Sequence, residues 1–114
     1  MIEAYSLNRA VILDRLGGDE EIFDVMVDMF LQDAASYAEN LAQALSAADI
    51  PLLQREAHTV KGVLATFADE DGAQAAYAIE QQCKQGSLDG LAEPVKALQA
   101  RLAEVAVVLS QPKA

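Results

Sequence analysis

The sequence predicts an all-α fold: an up-and-down antiparallel four-helix bundle with additional short helical cover at its N-terminus, about six helices in all. Three observations carry this expectation. Apolar residues recur at steps of three and four along most of the chain, and no stretch shows the period of two that a half-buried strand requires. With no Trp, 3 Phe and 3 Tyr, the core must be built from Leu, Val, Ile and Ala, which suits closely packed helices. The breaks between the periodic segments are short, and short connections make successive helices antiparallel neighbours. A chain of 114 residues is long enough to bury one sizeable core, so we read residues 1–114 as a single domain.

In order along the chain, residues 5–15 (YSLNRAVILDR) read as a short helix starting after Ser6 and stopped by Gly17 and Gly18. Asp19 can cap the next helix, about 19–33, with Glu20 and Glu21 in the first turn against the N-terminal dipole. That segment is so rich in large apolar groups that burial on more than one side is expected. The pattern continues over 34–48 on Tyr37, Leu41 and Leu45, with room for a kink or break near Asp33. Asp49 caps a helix that has Pro51 in its first turn and an inward stripe of Leu53, Ala57, Val60, Leu64 and Phe67. The segment ADEDG at 68–72 reads as a turn or a capped start, followed by Ala76, Ile79 and Cys83 up to Gly86. A last helix, about 91–110, carries Leu91, Val95, Leu98, Leu102, Val105 and Leu109 at heptad-like spacing.

Composition narrows the function classes. Acidic residues outnumber basic ones 18 to 8, for a net charge of −10, which disfavours nucleic acid and anionic membrane surfaces as partners. No apolar run reaches the ~20 residues of a spanning helix, and MIEAYSLNRA is not a signal peptide, so a cytoplasmic protein is expected. The lone Cys83 cannot form an internal disulfide or a zinc site and reads as a small core residue, with a redox role as the alternative. Nucleotide-binding glycine loops and a G-x-S-x-G turn are absent, and a single histidine rules out sites built from several imidazoles. No metal site is expected.

That histidine, His58, lies in REAHTVKGVLATF, residues 55–67. Helix phase turns it away from the inward stripe, with Gln54 and Arg55 one turn before it and Lys61, Gly62 and Ala65 after it on the same side. A lone exposed histidine is ordinarily just a surface residue. Here two of the eight basic residues flank it on a strongly acidic background, a local positive site suited to a phosphoryl group. Gly62 costs roughly 1 kcal/mol relative to Ala in a helix interior, and with Ala65 it leaves a side-chain-free patch that another protein could approach. By elimination, one exposed imidazole points to nucleophilic chemistry on a group delivered by something else.

AHTVKGVLATF resembles the core motif of histidine-containing phosphotransfer domains. Ala57, His58, Lys61 and Gly62 match outright, Val60 replaces a usual Leu, and Phe67 fills the apolar position. SLNRAVILDRLGGDEEIFDVMVDMFLQDA, LAQALSAAD and IEQQCKQG resemble flanking segments of bacterial members in order and spacing, so the resemblance covers nearly the whole chain. Ala68 departs from the pattern, standing where the family often has Gly at the helix end.

The resemblance implies a phosphorelay intermediate in two-component signalling. It would accept a phosphoryl group from the aspartate of a receiver domain, in a response regulator or hybrid sensor kinase, and pass it to another such aspartate. It implies His58 as phosphoacceptor, Lys61 as the cation steadying the phosphoryl group, and Lys84 as a second cation near the site. Glu80 either orients the imidazole or belongs to a structural pair, and Arg55 is a candidate for partner steering. Gly62 and Ala65 give clearance for docking, and Phe23, Met26 and Phe30 are apolar docking candidates, each with core packing as the alternative. The module would have no kinase activity and no cofactor of its own, Mg²⁺ being supplied by the receiver, and would act as a monomer. A helical interaction or scaffold domain that carries no phosphate is the competing reading. The Met1 start and the QPKA tail suit a small free-standing protein and also a domain cut from a hybrid kinase; free-standing is the expectation.

Overall fold

The computed structural model describes residues 3–111; Met1, Ile2 and the last three residues of the QPKA tail lie outside the described residues. Five helices follow in order: α1 (Arg9–Arg15), α2 (Glu20–Ser46), α3 (Ile50–Thr66), α4 (Glu70–Lys84) and α5 (Ala92–Leu109). Among the described residues there is no strand. The count is five and not about six because α2 is continuous through Asp33. From Glu20 to Ser46 the chain has neither Gly nor Pro, and its second half is alanine-rich, so nothing interrupts the backbone ladder. At the start, α1 begins at Arg9 with Asn8 as its cap, not after Ser6. Residues 3–8 are non-helical, and Tyr5 is held by two contacts from elsewhere: its hydroxyl donates to the Phe67 carbonyl (2.9 Å), and its N–H donates to Glu104 Oε2 (2.7 Å).

The four long helices pack in a ring, α2 on α3, α3 on α4, α4 on α5, and α5 back on α2. Contacts between named residues give the directions. Lys61 meets Tyr77 and His58 meets Glu80, so α3 and α4 run antiparallel. Gln99 reaches the carbonyl of Ala38, while Val108 and Leu109 lie by Phe23 and Val27, so α2 and α5 do as well. The inward stripes read from the sequence on α3, α4 and α5 are all buried, and Leu41 and Ala44 extend the core along α2.

Asp19, Asp49 and Asp69 each accept the backbone N–H three residues on, capping α2, α3 and α4. Two of these caps follow directly on the preceding helix through a left-handed residue. After α2 it is Ala48 (φ 54°), and after α3 it is Ala68 (φ 59°). In both cases the next N–H reaches back to the carbonyl five residues earlier: Asp49 to Ala44 at 3.0 Å, and Asp69 to Leu64 at 2.9 Å. Ala68 therefore keeps the turn that Gly would make, at the strain of an L-residue in the left-handed region.

Asp69 does more than cap. Its buried carboxylate takes two hydrogen bonds from the buried Arg101 guanidinium, Nε to Oδ2 at 2.9 Å and Nη2 to Oδ1 at 2.6 Å. Arg101 also donates to the Glu3 carbonyl and to Glu104, and its hydrogen bond to Asp69 is the main reason its pKa is raised. Burial, together with the Asp69 charge and against Arg101, pushes the nearby Tyr5 hydroxyl up to about 12. A Cβ on Gly72, in the first turn of α4, would overlap the Asp69 carboxylate. The two positions make opposite predictions. Ala68→Gly relieves left-handed strain and should stabilise the fold by about 0.5–1 kcal/mol. Gly72→Ala displaces a buried paired carboxylate and should cost about 3 kcal/mol. Urea unfolding of the two variants checks both signs.

Candidate functional site

Helix phase on α3 is set by Leu53, Ala57, Val60 and Leu64, all fully buried, and this turns His58 outward with its side chain 65% exposed. Across from it, α4 buries Ala76, Ile79 and Cys83, and burial pushes the Cys83 thiol up, keeping it protonated. Glu80 adjoins that stripe and is buried as well, its side chain only 4% exposed. The α3–α4 pairing brings this carboxylate against three basic side chains. Oε2 lies 2.9 Å from His58 Nδ1, Oε1 accepts from Lys61 Nζ at 2.7 Å, and Lys84 Nζ, one turn along α4, stands 3.8 Å from Oε2.

Burial alone would raise Glu80's carboxyl pKa. Hydrogen bonds from Lys61 and His58, reinforced by their charges, outweigh it and hold the group below the ordinary carboxylate range. An ionised Glu80 accepts from the imidazole, so Nδ1 carries a proton, and when the ring is neutral Nε2, on its opposite edge, keeps the lone pair. Glu80 makes a contact of each kind the sequence left as alternatives, one carboxylate oxygen facing the ring and the other pairing with Lys61. Lys61 is further held over the Tyr77 ring, 5.1 Å from its centroid. Tyr77 is a contact that the sequence reading missed, and its place one turn before Glu80 on α4 was the available signal.

Beside the imidazole lies a shallow depression lined by Pro51, Gln54, Arg55, His58, Glu80 and Lys84. Arg55 and Lys84 thus flank the ring on one side and Lys61 on the other. Gly62 and Ala65 are exposed, and a Cβ added at Gly62 would meet nothing within 4 Å, so no packing contact in the fold requires glycine there. Met26 of α2 is half-buried and borders the same depression as Gly62 and Ala65. Phe23 and Phe30 do not line that depression, and Phe30 contributes only an edge to an adjoining one with Met26 and Met29. Each is 3% exposed: Phe23 has the Arg9 guanidinium over its ring, and Phe30 packs edge-on against Phe67. The inward stripe of α2 claims both, and its exposed apolar residues are instead Ile22, Val25 and Met29. Among the described residues no cluster of three His, Cys, Asp or Glu side chains could hold a metal ion, and no helix is long and apolar enough to cross a membrane.

Glu80 titrates lower in the fold than in the unfolded chain. Its ionised form therefore stabilises the fold at pH above its ordinary value of 4.5, and this is lost as pH falls through the depressed folded value. Glu80→Gln should remove that component, so stability of the wild type should fall more steeply than that of the variant between about pH 5 and pH 3. Parallel denaturation curves for the two proteins over this range would show that the pairing is not coupled to folding.

Comparison of the sequence with curated proteins gives no match. Among solved structures, the crystal structure of histidine-containing phosphotransfer protein B (HptB) from Pseudomonas aeruginosa PAO1 superposes with a TM-score of 0.83. The two share 23% identity over 96% of this chain and 95% of that one, a likeness of fold. The family model described as Hpt domain matches residues 25–107, a span that contains His58, Lys61, Gly62, Glu80 and Lys84. With most of its length matched by that model, the chain belongs to the Hpt domain family, and its function is histidine phosphotransfer in two-component signalling.

Proposed function

We propose that His58 is the phosphoacceptor and that its Nε2 is the reacting atom. The observation that carries this is the pairing of Nδ1 with the buried Glu80 carboxylate on an otherwise exposed ring. In the forward step Nε2 attacks the phosphorus of a receiver's aspartyl phosphate. A P–N bond forms as the P–O bond to the aspartate breaks, and the carboxylate leaves with the electron pair. No proton has to depart: Nδ1–H stays in place, and the positive charge the ring acquires is shared with Glu80. The reverse step, attack by a receiver carboxylate on the phosphohistidine, returns the ring to neutral, so one residue serves both donor and acceptor.

Lys61 and Lys84 are the cations beside the transferred group, and Arg55 contributes to steering. The Lys61 side chain stays partly exposed while its Nζ is paired with Glu80 Oε1, and that pairing fixes its position on one side of the ring. Gly62 and Ala65 give the clearance that lets a receiver bring its aspartate to Nε2. In this reading the chain carries phosphate without kinase activity of its own and acts as a cytoplasmic monomer. It holds no cofactor, Mg²⁺ belonging to the receiver, and the net charge of −10 argues against nucleic-acid and membrane partners.

The test is incubation with a panel of phosphorylated receiver domains, followed by assay for acid-labile, base-stable phosphate on the chain. Labelling should vanish in His58→Gln; labelling that persists there removes His58 from the role, and no labelling by any receiver favours a scaffold. Lys61→Ala should slow transfer with the fold intact. In Gly62→Leu the helix should be stabilised by about 0.5–1 kcal/mol, since the added side chain meets nothing in the fold. Transfer in that variant should nonetheless slow on the order of 100-fold, because the receiver can no longer close on Nε2. An unchanged rate would dismiss the clearance argument.

A further inference from the structure

Along the outer edge of α2, Ile22, Val25 and Met29 recur at i, i+3 and i+7 and leave 47%, 54% and 57% of their surfaces exposed. Three large apolar groups on two turns of one helix exceed the scattered single residues of an ordinary surface. Met26 joins this stripe to α3 through the depression it shares with Gly62 and Ala65, and Met29 borders an adjoining one with Val63, Thr66 and Asp33. The stripe is thus continuous with the face that carries His58.

The charges around the two parts of this face are opposite. Beside the stripe stand Glu21 and Asp28, both exposed and seven residues apart on the neighbouring strip of α2, with exposed Asp33 at the end of the stripe. Arg15, which donates to the Ala65 carbonyl, lines the depression between Met26 and Gly62, where the two parts of the face meet. Around His58 the charges are Arg55, Lys61 and Lys84, with Glu80 buried beneath them.

We propose that the α2 stripe and its acidic rim select among receiver domains. The receiver they favour has, next to its phospho-aspartate pocket, an apolar patch edged by Lys or Arg. The inference rests on the phosphotransfer reading above and adds the partner's surface chemistry. Charge complementarity decides the occupant. A second copy of this chain would set acid against acid, with each copy at −10, and an anionic membrane would be repelled in the same way. The two poles also fix orientation: an acidic aspartate pocket placed over the His58 cations brings the basic edge over α2, whereas the reversed pose opposes like charges at both ends.

Phosphorylated receiver domains with basic or acidic surfaces flanking the phospho-aspartate are titrated against the wild type and the triple variant Glu21→Lys, Asp28→Lys, Asp33→Lys. Half-saturating concentration and saturating transfer rate are read at low and high salt. For basic-edged receivers the variant should raise the half-saturating concentration about tenfold at low salt with the saturating rate unchanged. The difference should fade at high salt, and acidic-edged receivers should shift the opposite way. If the triple variant does not fold, the neutral Glu21→Gln, Asp28→Asn, Asp33→Asn variant should show a smaller shift of the same sign. Equal half-saturation in wild type and variant, or a fall in saturating rate alone, overturns the proposal while leaving phosphotransfer standing. Failure of every phosphorylated receiver to label the wild type overturns both.

Discussion

The buried pair of Asp69 and Arg101 sits where three parts of the chain meet, and the geometry of the site depends on it. Asp69 ends the α3–α4 turn and caps α4, Arg101 comes from the middle of α5, and the same guanidinium reaches the backbone of the N-terminal segment. Two charges removed from water are tolerable only when their hydrogen bonds are satisfied, and in this cluster they are: no buried side-chain N or O among the described residues lacks a partner. Gly72 leaves the space the carboxylate needs. With that end of the α3–α4 pair pinned, the register along the rest of it is determined, and three helical turns away Glu80 comes to lie beneath His58. A slip of one turn would move it by ~5.4 Å and leave a buried carboxylate without its cations.

The site is built on inverse principles from a pocket enzyme. The His58 imidazole stands in solvent, and what is enclosed is the carboxylate that holds it. Rigidity comes from below, through Glu80 and the α3 stripe, while the space above the ring is left clear. The two helical glycines divide along the same line. Gly72 is demanded by its own fold, whereas Gly62 is demanded by nothing within the chain and weakens its helix. A residue that costs stability without an internal reason is intelligible when the space it leaves belongs to a partner.

The local electrostatics run against the overall charge. On a chain of −10, the neighbourhood of His58 concentrates cations, and Glu80 keeps that concentration structured by binding the ring and Lys61 through separate oxygens, with Lys84 nearby. The result is a face with a positive end over α3 and α4 and a negative, apolar end over α2.

Much of this was legible in the sequence because it depends on local rules. The Asp caps at 19 and 49, the stripes of α3, α4 and α5, and the outward setting of His58 with Lys61 and Gly62 all follow from helix periodicity and capping. Ala68, a departure from the family pattern, is resolved by a left-handed backbone angle that sequence alone does not display. What the tertiary structure decided was everything set by a partner from another element. Glu80 and Arg101 look like surface residues on their own helices and are buried because cations and anions arrive from neighbours. On α2, wide apolar content could not say which groups the core would take; packing against Arg9, Phe67 and α5 absorbed Phe23 and Phe30 and left Ile22, Val25 and Met29 outside. Periodicity fixes a side chain's direction about its own helix axis, but the burial of a polar group, or the exposure of one apolar group among many, is fixed only when a second element supplies what it packs against.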